Sequence, residues 1–134
     1  VGKCLMLGRE TERFPIPLQD PHLFTENPAR VRYIAEDPLS LRSLTARFMF
    51  ESRRLDGLAR EAAGRVRTPT LLCLAGRDRI TDNAATRRLV YAMAARKRVR
   101  VYEQAHHTLE FEPDPSGYFA DLAAWITAFE PQTD

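Results

Sequence analysis

The 134 residues contain two cysteines, one tryptophan and no apolar run near the roughly 18–20 residues that a membrane span needs. Cys4 and Cys73 cannot form the disulfide framework that staples small secreted domains. Cys73 sits inside an apolar run and reads as a structural thiol, and this cysteine usage favours a reducing compartment while leaving location otherwise open. One-sided charge is lacking too. The net charge is only +2, and 18 of the 20 basic residues are arginines scattered along the chain with no dense block or aromatic ladder. That pattern excludes a nucleic-acid surface despite the basic balance.

With 44% hydrophobic and 28% charged residues, the composition is that of a globular protein, and the length suits one domain. The first residue is Val1 rather than Met, and no signal-peptide pattern follows. The chain is therefore expected to be either a processed protein or the back part of a longer one.

Two stretches of different character meet near Thr68-Pro69. In the first, only the short apolar Cys4–Leu7 looks like a strand. Phe14-Pro15-Ile16-Pro17-Leu18 should be extended, because each proline fixes its own φ and disfavours a helical predecessor. Asn27-Pro28 has the form of a helix cap followed by proline at the first helical position, opening a helix to about Glu36. Asp37-Pro38 repeats the device and is expected to open the next helix, with Leu41, Leu44, Phe48, Leu55 and Leu58 near helical spacing. Gly57 should interrupt that helix, and a last one should run to Ala63 before Gly64.

Beyond Pro69 the pattern becomes strand, helix, strand, helix. Thr70–Ala75 is a nearly continuous apolar run, as in a strand buried on both faces. Asp82-Asn83 should cap a helix reaching about Lys97. Val99–Tyr102 is the second strand, and Ser116 should cap a final helix with Tyr118, Leu122, Trp125, Ile126 and Phe129 as its buried stripe. Such alternation implies an α/β fold with a parallel sheet. Two strands are too few to complete one, which favours a piece of a longer protein.

Parallel strands bring their C-terminal ends to one edge, where ligands bind in open α/β sheets. One strand is followed by Gly76-Arg77-Asp78, the other by Ala105-His106-His107, so a carboxylate and an imidazole can meet over that edge. A carboxylate on one imidazole nitrogen fixes the tautomer and stabilises the imidazolium that forms when the other nitrogen takes a proton. Nucleophile relays on α/β folds run Ser, Asp or Glu, then His, with the Ser in a Gly-x-Ser-x-Gly elbow. Asp78 and His107 follow that order, yet Ser40, Ser43, Ser52 and Ser116 all lack the flanking glycines. The nucleophile is missing from these 134 residues.

Pro69–Asp82, with its Asp78-Arg79-Ile80-Thr81-Asp82 stretch, and Ala105–Glu112 resemble the α/β-hydrolases of the lysophospholipase and monoacylglycerol-lipase type. The resemblance runs over most of the chain from about Phe14. It implies the C-terminal part of an α/β-hydrolase, with residues 1–66 as linker and helical lid and residues 67–134 as an α/β segment. It further implies Asp78 as the triad acid and His107 as the base, with Gln104 standing where the family usually has Gly. The implied activity is carboxylic-ester hydrolysis on a lipid-like or small ester, without a cofactor. The early strands, the oxyanion-hole loop and the serine elbow would belong to an N-terminal half of the same protein, and this chain alone would be inactive and self-associating.

Other polar residues have plainer readings. Asp82 competes with Asp78 but is better explained as a helix cap. His106 cannot face the same way as its neighbour His107 and reads as a pocket or surface residue, His22 as a loop residue. The three histidines lack zinc-ligand spacing. Glu110 and Glu112 read as loop or helix-start carboxylates, with orientation of the histidine loop as the alternative. Leu44, Phe48 and Met49 belong to helix packing or to a lipid pocket. A non-catalytic α/β module binding a partner through the same edge is the rival to the enzyme.

Overall fold

The computed structural model describes residues 8–128, so the Cys4–Leu7 stretch and Phe129 lie outside the described residues. The order is β1 (Arg13–Pro15), a 3-10 turn (Pro21–Leu23), α1 (Pro28–Glu36), β2 (Ser43–Thr45) and α2 (Ala46–Ala62), then a 3-10 turn (Ala63–Arg65). There follow β3 (Thr70–Ala75), α3 (Asn83–Ala92), β4 (Lys97–Tyr102), a 3-10 turn (Leu109–Phe111) and α4 (Ser116–Thr127).

In the first stretch α1 starts as its sequence implies: the Asn27 side chain accepts from the Ala29 N–H, with Pro28 at the first helical position. Asp37-Pro38 closes α1 but opens no helix. Its carboxylate accepts from Leu39 N–H at 2.9 Å and its carbonyl from Ser40 N–H, which makes a turn. The next helix waits for Thr45, whose hydroxyl accepts from Phe48 N–H at 3.1 Å. Between the two, residues 43–45 pair antiparallel with 13–15 in register Phe14↔Leu44. Three-residue strands are too short to show alternation, so neither was legible as such. Gly57 does not interrupt α2, whose 17 residues run through it. One glycine in a helix interior costs only about 1 kcal/mol against alanine. The α-helix ends at Ala62, and Gly64 lies in the 3-10 turn beyond.

β3 and β4 are parallel, in register from Thr70↔Lys97 to Ala75↔Tyr102. This pairing ends α3 earlier than expected: Lys97 belongs to β4, and its ammonium reaches back to the Tyr91 and Met93 carbonyls at the helix terminus. Ser116 is the first residue of α4 rather than its cap, and the Asp114 carboxylate accepts from its N–H at 3.0 Å.

The expectation of a strand buried on both faces also needs correction. Only Leu74 and Ala75 of β3 are buried, because β4 is its one partner among the described residues. For the same reason the α4 stripe is half-buried at Tyr118, Leu122 and Trp125, while Ile126 is 62% exposed. A buried cluster lies at the C-terminal edge of the β3–β4 sheet, where Ala75, Ala105 and Leu109 pack with Cys73, Tyr102 and Tyr118. Cys73 is half-buried, and desolvation pushes its thiol above the ordinary range despite the opposing Tyr102 hydrogen bond. That suits a structural thiol. Asp121 ties α4 to β4, accepting from the Tyr102 hydroxyl at 2.9 Å and pairing with Arg100 at 3.1 Å. No helix among the described residues is long and apolar enough to cross a membrane.

Candidate active site

The loops after β3 and β4 are laced together by their backbones. Gly76 N–H donates to the Tyr102 carbonyl and Arg77 N–H to the Ala105 carbonyl, each at 2.9 Å. Asp78 N–H donates to Ala75 at 3.3 Å, which turns the chain back over the strand end. This crossing carries Asp78 to His107, with His107 Nδ1 2.9 Å from Asp78 Oδ2.

The other carboxylate oxygen, Oδ1, accepts from the Ile80 and Thr81 N–H groups at 2.8 and 2.9 Å. The Asp78 side chain is 7% exposed, and that desolvation alone would raise its pKa. The hydrogen bonds from Thr81, His107 and Ile80 outweigh it, so the carboxyl lies below its ordinary value. Ionised, Asp78 only accepts, which puts the hydrogen of the neutral imidazole on Nδ1 and leaves Nε2 as the acceptor. His107 is 32% exposed and so is reachable from solvent. The Phe24 ring meets it edge-on, centroids 5.8 Å apart, and the Phe24 carbonyl accepts from Thr108 N–H at 2.9 Å.

Beside Phe24 opens an apolar cavity of about 380 Å³, lined by Ile16, Leu18, Ile34, Leu41 and Phe111 among others. Leu44, Phe48 and Met49 take no part in it; Phe48 is 54% exposed and the other two are half-buried.

The remaining candidates go elsewhere. Asp82 caps α3, accepting from Ala85 N–H at 2.9 Å. His22 is exposed in the first 3-10 turn, and Glu110 is exposed in the third. His106, read from the sequence as a pocket or surface residue, is buried: its Nδ1 lies 3.1 Å from Glu112 and its Nε2 3.3 Å from Glu26. Glu112 thus holds the histidine loop, the alternative the sequence had left open for it. Phe24, Thr25 and Glu26 were missed, because only the tertiary fold sets that loop segment against residues 106–111. Among the described residues no His, Cys, Asp or Glu grouping suits a metal ion. No serine hydroxyl is hydrogen-bonded to His107 there: Ser40 donates to the Ile34 carbonyl and Ser43 accepts from Arg13.

Residues 5–114 match the family described as serine aminopeptidase, S33. In three dimensions the chain is similar to the crystal structure of Paleococcus ferrophilus monoacylglycerol lipase, with a TM-score of 0.84 and 24% identity over 96% of this chain and 51% of that one. It is also similar to a soluble variant of monoglyceride lipase from Saccharomyces cerevisiae in complex with a substrate analogue, with a TM-score of 0.78 and 17% identity over 91% of this chain and 43% of that one. The chain thus spans about half the length of these solved structures, and at such identities the likeness shows the α/β-hydrolase fold. No curated protein sequence matches it.

Proposed function

The chain belongs to the serine aminopeptidase S33 family, and on that premise we propose that it is part of a serine hydrolase of carboxylic esters, of the monoacylglycerol or lysophospholipid class, with Asp78 and His107 as triad acid and base. One observation carries the reading: the 2.9 Å contact between His107 Nδ1 and Asp78 Oδ2 at the C-terminal edge of a parallel strand pair.

In this mechanism His107 Nε2 takes the proton of an attacking serine and returns it to the leaving alcohol, while Asp78 stabilises the imidazolium between the two steps. The 134 residues contain no Gly-x-Ser-x-Gly. The serine and the oxyanion-hole amides therefore come from a further part of the same protein, and the 134-residue chain alone does not turn over esters. Proton transfer is worth about 10²–10⁴-fold and cannot replace a covalent step. Residues 1–66 serve as linker and lid, residues 67–134 as the α/β segment, and the apolar cavity beside Phe24 suits an acyl chain.

Two arms test this. Purified 134-residue protein treated with a serine-directed fluorophosphonate should take up no label and hydrolyse no chromogenic ester. Labelling of one of its four serines, with turnover lost in His107→Ala, would overturn the missing-nucleophile reading. In the protein extended to include a serine elbow, His107→Ala should cost on the order of 10⁵–10⁶ in kcat, since relay members act as a unit. Turnover near wild type would refute the base assignment. An aminoacyl anilide assayed beside the ester distinguishes peptidase from esterase; cleavage of the anilide alone would replace the ester assignment.

A further inference from the structure

His106 is buried and titratable, yet the relay does not use it, and Glu112 is 15% exposed beside it. One carboxylate oxygen, Glu112 Oε1, faces both donors of that residue: the backbone N–H at 2.9 Å and the ring Nδ1 at 3.1 Å. Two bonds from one residue to one oxygen fix its backbone and its ring together. The far side of the ring, Nε2, lies 3.3 Å from Glu26. Glu26 adjoins Thr25, fully buried, whose hydroxyl donates to the Phe111 carbonyl at 3.0 Å. Around His107 the backbone is therefore held at Ala105 by Tyr102 and Arg77, at His106 by Glu112, and at Thr108 by Phe24. His107 itself is left to turn toward Asp78.

We propose that Glu112, acting through His106, is a positioning residue that aims the His107 imidazole at Asp78. The proposal rests on the assignment of His107 as the base. Removing Glu112 frees the residue before the base, and misplacing a reacting group by about 1 Å can cost about 10²-fold in rate. A purely structural Glu112 would lower stability while leaving each folded molecule as active as before.

The experiment compares Glu112→Ala, Glu112→Gln and His106→Ala, with His107→Ala as reference. Kinetics are read in the elbow-containing protein, per folded molecule, and the downfield proton resonance of His107 Nδ1–H is read in the 134-residue chain. We expect Glu112→Ala to lower kcat by about 10–100-fold with KM little changed, and to shift or broaden that resonance. Glu112→Gln keeps an oxygen that accepts both donors and should recover most of kcat. His106→Ala keeps the backbone bond to Glu112 and should fall between them, and it decides the matter if Glu112→Ala does not fold. Wild-type kcat and an unmoved resonance in folded Glu112→Ala or His106→Ala would overturn the proposal. Should His107→Ala retain turnover, the base assignment fails instead, and the resonance still reports whether Glu112 positions the ring.

Discussion

Gly76 and the backbone of Glu103 approach so closely that a Cβ on residue 76 would stand 2.4 Å from the Glu103 carbonyl oxygen and 2.6 Å from its Cα. Both obstacles are main chain, so no side chain can swing aside. The loops bearing Asp78 and His107 cross at this point, one residue after β3 and one after β4.

Gly76→Ala should accordingly force the two loops apart. Overpacking of this kind costs about 1–3 kcal/mol, and the 2.9 Å contact between His107 and Asp78 lies just downstream. Urea unfolding should show a lower midpoint at an unchanged slope. A midpoint equal to wild type would mean that the crossing relaxes freely.

Asp78 and Asp82 should separate cleanly under amide substitution. Asn at position 78 can present an N–H to His107 and favour the wrong tautomer, a change worth about 10⁴-fold in kcat. Asn at position 82 remains as good a helix cap as Asp and should alter stability by only a few tenths of a kcal/mol. Steady-state kinetics on both variants of the elbow-containing protein check this, and the reverse ranking would exchange their roles.

Acid stability carries the signature of Asp78. Burial raises its pKa, but the bonds from Thr81, His107 and Ile80 prevail, so the folded value lies below the ordinary 3.8. A group depressed on folding contributes its full stability above the unfolded value and loses it as pH falls through the folded value. The stability gap between wild type and Asp78→Asn should thus narrow as pH falls below about 4, where the Asp78 carboxylate takes up its proton. Denaturant unfolding measured at stepped pH reads it directly; a gap that widened below about pH 4 would contradict the net downward shift.

The 134 residues on their own should self-associate. Among the described residues β3 pairs with β4 alone, and Phe119 and Ile126 of α4 are 50% and 62% exposed. An unpaired apolar edge is a template for another chain, and a two-fold dimer is the simplest closed product. Light scattering at tens of micromolar, roughly the range where such surfaces associate, should show a species larger than monomer. A clean monomer would show that the edge is covered.

What the sequence determined by itself is what local chemistry decides. Asn27-Pro28 and Asp82 start α1 and α3 because a cap acts over three residues and needs no partner from afar. The apolar run of Thr70–Ala75 marked β3 because such composition is itself the signal of a sheet interior. Asp78 and His107 stood out by type and chain order, each just beyond a strand. Only the tertiary structure decided the rest. The β1–β2 pairing sets Phe14 opposite Leu44, the Arg13–Ser43 side-chain bond across it joins residues 30 apart, and the Thr25–Phe111 bond joins residues 86 apart. No periodicity encodes either, since three-residue strands and single loop residues carry no repeating pattern. The end of α3 was set by the register that gave Lys97 to β4, and the pairing of buried His106 with Glu26 and Glu112 by two segments of the chain meeting at its ring. Such contacts form only when packing repays the entropy of closing long loops. The position of every side chain around His107 is therefore a property of the fold, while the presence of the pair is a property of the sequence.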